Sequence, residues 1–224
     1  TSLHLMKHPF HRLMIAGSVA FTALCTSAQS VPSGFADVLV MGGWVAPQGA
    51  VWDANDRMYV WEKAGKVWIV ENGVRLPSPL IDISPEVGDW RDHGFLGFAL
   101  DPNFLTNGYI YLLYAVDRHH LMNFGTGSYN ANTNEYFNAT IMRLARYTAV
   151  GPTFNTVNYG SRLVLLGESP STGVPLLHES HSTGTIMFGT DGTLLMSLGD
   201  GASYTSTDVG SASETYYQQA LTDG

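Results

Sequence analysis

Five histidines lie beyond residue 28: His93, His119, His120, His178 and His181. A neutral imidazole is the side chain best suited to take a hydroxyl proton near neutral pH. His181 stands out by its setting, HESHSTGTIMFGTDG, just ahead of a strand expected over 184–189. Gly184, three residues on, admits a close backbone approach by a planar ligand. His178 and His181 are spaced HxxH rather than HExxH, so their rings would not share a helix face, and metal ligation is not expected there. A second cluster, GDWRDHGFLGFALDPNF (88–104), crowds Asp89, Arg91, Asp92 and His93 ahead of a strand expected over 94–100. Composition alone favours a polar loop cap for it, although Trp90 is placed to stack on a ligand. A third, LGDGASYTSTD (198–208), offers Asp200 either to calcium or to a turn, and the lack of EF-hand spacing favours the turn. GxGxxG, P-loop and GxSxG motifs do not occur, which disfavours a nicotinamide enzyme, a nucleotide hydrolase and an α/β-hydrolase.

These residues need a scaffold that brings distant loops together. From Phe35 onward, apolar residues alternate with period two, and Gly, Asp or Asn turns interrupt them every eight to twelve residues, as in an antiparallel sheet protein. The stretch 49–74 reads as strands 49–53, 57–62 and 67–71, closed by the hairpin dipeptide Asn72-Gly73. Turns at Asn55, Asn103 and Asp191 recur in similar frames, VWDAND, ALDPNF and MFGTDG. Their spacing corresponds to one and two units of about 45 residues, the length of a four-stranded propeller blade. In a propeller the innermost strands line a central channel, so the loops leading into them, those of Asp92 and His181 included, would meet over it. A polar aromatic loop is expected over 117–139, before a strand over 140–147. Trp44, Trp52, Trp61 and Trp68 fall at strand positions and read as blade core.

The composition agrees. Of 224 residues, 45% are hydrophobic and only 13% charged, with 24 glycines, which excludes a coiled coil and a disordered chain. The net charge of −8 argues against a nucleic-acid partner or an anionic membrane surface. Residues 6–28 read as an initiator (Met6), a basic head (Lys7, Arg12), an apolar run and a small-residue cleavage site before Gln29. Residues 1–28 are therefore expected to be leader and signal peptide, the product periplasmic or extracellular, with no membrane span after cleavage. Cleavage removes the sole cysteine, Cys25, and with it any disulfide or thiolate chemistry. About 190 residues remain, roughly four blades at most, so 29–224 is expected to be the N-terminal portion of a longer ring.

Three segments, VWDANDRMYVWEKAGKVWIVENG, DHGFLGFALDPNFLTNGYIYLLY and HSTGTIMFGTDGTLLMSLGDG, resemble the soluble glucose/sorbosone dehydrogenase family over roughly residues 35–203. The resemblance implies an all-β fold, here the N-terminal three to four blades of a six-bladed propeller, with pyrroloquinoline quinone (PQQ) and Ca²⁺ as cofactors. It implies a sugar substrate and an external electron acceptor. His181 matches the family's general base, which takes the proton of the anomeric hydroxyl while a hydride passes to C5 of PQQ. Asp92 falls where the family has a polar residue contacting cofactor and substrate. Ser180 stands where relatives carry an acidic or amide residue, leaving Glu179 as a substitute orienting group. The family's PQQ-gripping arginines and lysine and its calcium ligands belong to later blades, so this chain alone is expected to be inactive. Two other readings remain open: a non-catalytic propeller that binds a glycan or a protein, and a metal-dependent lactonase-like propeller.

Overall fold

The computed structural model describes residues 32–201 and 216–224. The chain divides into two compact units, Thr1–Leu39 and Val40–Gly224. The leader and signal peptide expected over 1–28 lie outside the described residues. Within the first unit the Phe35 amide donates to the Pro32 carbonyl at 3.0 Å.

The second unit is built of antiparallel sheets. The first is a meander of β1 (Pro47–Trp52), β2 (Met58–Glu62), β3 (Lys66–Glu71) and β4 (Val74–Arg75), with β5 (Ile81–Asp82) also pairing on β3. The second contains β6 (Phe95–Leu100), β7 (Tyr109–Ala115), β8 (Thr140–Ala149), β9 (Val157–Leu166) and β10 (Val174–Leu176), the last two both pairing with β8. A hairpin of β11 (Thr183–Phe188) and β12 (Leu194–Leu198) follows. The helices are short: α1 (Phe104–Asn107), α2 (Arg118–Asn123) and α3 (Tyr217–Asp223). Among the described residues no helix is long and apolar enough to cross a membrane.

The repeat expected from the turns is present in three dimensions. The Asn55, Asn103 and Asp191 turns each join the first two strands of a sheet: β1 to β2, β6 to β7, β11 to β12. All three first strands begin with a β-bulge, between Pro47 and Gly49, Phe95 and Gly97, and Thr183 and Ile186. At Asn72-Gly73 both residues have positive φ, 51° and 75°, and close the β3–β4 hairpin.

Two expectations differ from the structure. Trp52 is not core: its neighbour Val51 turns inward and Trp52 is 58% exposed, whereas Trp61 is buried. The segment 117–139 is not all loop, because Asp117 caps α2 by accepting from the amides of His119 (2.9 Å) and His120 (3.4 Å). That cap satisfies helix donors that would otherwise be orphaned.

Apolar residues of the first two sheets, including Tyr59, Ile69, Phe95, Phe98, Leu112 and Tyr147, form one core. Ile186 of β11 packs with Ala99, Leu113 and Met142 in a second. At the edge of the first core sits a buried carboxylate, Glu86, which accepts from Arg143, from the Tyr114 hydroxyl and from Arg162 (2.8 Å). Burial alone would raise the Glu86 pKa, but the charges of Arg143 and Arg162 outweigh it and hold it below its ordinary value. The ionised form is thus favoured in the folded state, and its stabilisation is present above about pH 4.5 and lost on acidification through the folded value. Replacing Arg143 by Met leaves Glu86 under-compensated and is expected to cost about 3–5 kcal/mol at neutral pH. Denaturant titration should show a smaller loss near pH 4, where Glu86 can protonate; an equal loss at both pH values would contradict this account.

Candidate functional site

The loop entering β6 and the loop entering β11 meet, because each precedes the first strand of its sheet and β11 packs against β6. The Asp92 amide donates to the Glu179 carbonyl (3.1 Å), and the Ser182 hydroxyl donates to the Asp92 carbonyl (2.7 Å). The His181 amide donates to Asp92 Oδ2 at 3.3 Å. Asp92 and His181, whose loops the repeat was expected to bring together, are direct neighbours.

His181 sits at φ +52°, in the left-handed region that a non-glycine residue occupies only when its surroundings hold it there. Its ring is half exposed, and Nδ1 lies 3.0 Å from Asp200 Oδ1. A carboxylate can only accept, so Nδ1 carries the proton of the neutral ring and the Nε2 lone pair is left as the base. Asp200 was expected merely to close a turn; it orients the imidazole instead. Glu179, the expected substitute, pairs with Arg91 at 3.6 Å. The signal for Asp200 lay in the hairpin register: pairing Thr183 with Leu198 carries residue 200 opposite residue 181. The pairing continues beyond the strands, with the Gly199 amide on the Ser182 carbonyl (3.0 Å) and the Gly201 amide on the His181 carbonyl (2.9 Å). A Cβ at Gly199 would lie 1.9 Å from the His181 carbonyl oxygen, so only glycine permits this approach.

Gly184 and Trp90 have their own neighbours. A Cβ at Gly184 would lie 2.3 Å from Ser197 Oγ, so the close approach there is by the partner strand at the β11 bulge. Trp90 is buried, its ring centroid 4.3 Å from that of His93 and 4.7 Å from that of Phe137. It stacks within the protein. His178 is buried as well, with Nδ1 2.8 Å from Ser180 Oγ. His119 and His120 belong to α2, and His120 stacks on Phe124. Among the described residues no group of three or more His, Cys, Asp or Glu is placed to hold a metal ion.

Antiparallel blades in repeat, with an oriented imidazole where two blade-entry loops meet, define a propeller protein with a candidate acid–base site. The chain matches the glucose/sorbosone dehydrogenase family model over residues 45–216, and it belongs to that family. Among curated proteins it is similar to the Hedgehog-interacting proteins of mouse and human, each 30% identical over 171 residues. That match covers 72% of this chain and 22% of each relative, so the chain spans about a fifth of their length. Among solved structures it resembles an oxidoreductase (glucose dehydrogenase) of Thermus thermophilus, with 22% identity and a TM-score of 0.50, covering 72% of this chain and 39% of that one. It also resembles the PQQ-bound form of an aldose sugar dehydrogenase of Streptomyces coelicolor, with 18% identity and a TM-score of 0.52, covering 76% and 44%.

Beneath the site, burial pushes the His93 imidazole down to about 4, although the His178 carbonyl and Asp92 both favour its charged form. Between about pH 4 and 6.5 the unfolded chain takes up a proton that the folded chain refuses. His93 therefore leaves stability intact above pH 6.5 and removes about 3 kcal/mol as pH falls to 4. Urea titrations from pH 7.5 to 4 should show this slope in the native protein and its loss in His93→Gln; identical slopes would mean that His93 is not buried as the neutral ring.

Proposed function

We propose that this chain is the N-terminal portion, residues 29–224, of an exported propeller that oxidises an aldose or related sugar, with PQQ as electron acceptor and Ca²⁺ as its companion ion. The observation that carries the reading is the His181–Asp200 pair beside Asp92, in a chain of the glucose/sorbosone dehydrogenase family. Its chemistry is that of an oriented base. Asp200 holds the Nδ1 proton, and Nε2 accepts the proton of the anomeric hydroxyl as the C1–H bond breaks. The imidazolium so formed is stabilised by the same carboxylate. PQQ, when bound, supplies the hydride acceptor, which leaves the sugar as its lactone. Asp92 Oδ1 and the exposed Arg91 guanidinium are groups of this chain able to meet sugar hydroxyls and a cofactor carboxylate. The residues described here fit the base half of such a site. They do not form a calcium cage, and the ligands of the ion are assigned to later blades. The physiological electron acceptor would meet the assembled ring.

A second reading, a non-catalytic propeller binding a glycan or a protein, is favoured by the similarity to Hedgehog-interacting protein. The two readings part on PQQ. If the enzymatic reading holds, PQQ with Ca²⁺ at about 100 times its Kd stabilises the full-length protein by about 2.7 kcal/mol. Dye-linked sugar oxidation should then fall about 10²–10⁴-fold in His181→Ala. Asp200→Asn, which disturbs the tautomer but keeps the shape, should lower kcat about tenfold to a hundredfold with little change in KM. Unchanged turnover in His181→Ala would remove the assigned role, and absence of any PQQ effect on melting would favour the binding propeller.

A further inference from the structure

We propose that His93 is the positioning residue of the candidate base, tethering the 177–182 loop in the shape that presents His181. The proposal rests on the reading of His181 as a general base. His93 is completely buried, and its Nε2 lies 2.9 Å from the His178 carbonyl oxygen. A carbonyl only accepts, so Nε2 carries the proton and Nδ1 is bare. That Nδ1 is buried and has no hydrogen-bond partner among the described residues. A phenyl ring would fill the same space against Trp90 and carry no bare Nδ1, but it would take the Nε2 donor away from the buried His178 carbonyl. What histidine adds at this position is the N–H bond to His178.

That bond anchors a short chain of local geometry. The imidazole of His178 turns back on its own segment, its Nδ1 accepting from the Ser180 amide at 3.2 Å. The bend so fixed delivers His181 one residue later into its left-handed conformation, amide toward Asp92. The Asp92–His181 bond is exposed and competes with water, whereas the His93–His178 bond is buried. A buried hydrogen bond has no water to exchange with, so it is costly to leave unmade and holds its partners more firmly. His93 also adjoins Asp92 in the chain, so one buried ring sets both sides of the clasp. His93 touches neither sugar nor cofactor in this account; it acts through the His178 backbone.

Two variants separate the tether from simple packing. His93→Phe keeps a ring beside Trp90 and removes the donor; His93→Gln loses the ring and keeps an N–H placed like Nε2. Amide hydrogen exchange of the full chain, without cofactor, reads the loop directly. In H93F the amides of Asp92, His181 and Gly201 should exchange about tenfold faster or more while those of Val60 and Leu113 in the core keep their rates. H93Q should retain native protection at the loop. Should H93F not fold, H93Q decides alone: native protection at the loop supports the tether and lost protection overturns it. Native exchange at the loop in a folded H93F also overturns it. In the full-length protein with PQQ, H93F should lower kcat about tenfold to a hundredfold at nearly constant KM. Faster exchange with no sugar oxidation in any form would leave the tether standing and remove the enzymatic reading, so the two fail separately.

Discussion

The candidate site depends on how closely β11 lies against β6. Where Gly97 lacks a side chain, the Ile186 amide nitrogen and Cγ1 come within 3.2 and 3.3 Å of the position a Cβ would take. Ile186 then buries itself among Ala99, Leu113 and Met142. This contact is apolar and non-directional, so it supplies proximity without orientation. Orientation comes from the loops just upstream, where Asp92 collects the His181 amide and the Ser182 hydroxyl. Gly199 completes the arrangement from the other side, letting the extended hairpin close on the His181 carbonyl. The imidazole is thus held by its backbone on two flanks and by Asp200 at its ring.

Burial and chemical role run in opposite directions in this chain. The buried acid Glu86 is compensated by two arginines and a tyrosine and has nothing left to offer a substrate. Its work is structural: it ties the segment before the Asp92 loop to β7, β8 and β9. Tyr114, pushed far up by burial and the Glu86 charge, belongs to the same network. The groups suited to proton transfer are the exposed ones. Perturbed titration usually points toward function, yet here it marks the frame, and geometry at the loop junction marks the candidate site.

The strands were legible because a half-buried sheet writes its period into the sequence, and β1, β2, β3, β6, β8 and β11 all begin and end close to where alternation and turn residues place them. The pairing of the Asp92 and His181 loops was legible for a related reason: equivalent frames in a repeat occupy equivalent places. What failed to show was short, faced outward, or depended on a partner distant in the chain. Helix α2 is too short for periodicity to reveal, and only the Asp117 cap marks it. Trp52 carries a core residue's composition on an outward-facing strand position. Trp90 looked free because its partners, Phe137 and Tyr136, come from a segment more than forty residues away. Asp200 was hidden by its exposed Gly-Asp-Gly context, which is what a turn also looks like.

The exposure of the candidate base bears on what must surround it. A histidine–carboxylate pair open to water is screened, and such a pair contributes orientation more than energy. Stabilising charge in a transition state requires donors and carboxylates that act with water largely excluded. The same hairpin that carries His181 and Asp200 turns Met187 and Leu195, a cross-strand pair, outward into solvent. Their neighbours Ile186 and Met196 meet the second sheet, so the hairpin has one satisfied face and one apolar face without a described partner. In the proposed ring both deficits have one remedy. A further sheet laid on the Met187–Leu195 face would bury apolar surface and bring its own entry loop over His181. The packing that completes the fold would thereby dry the base.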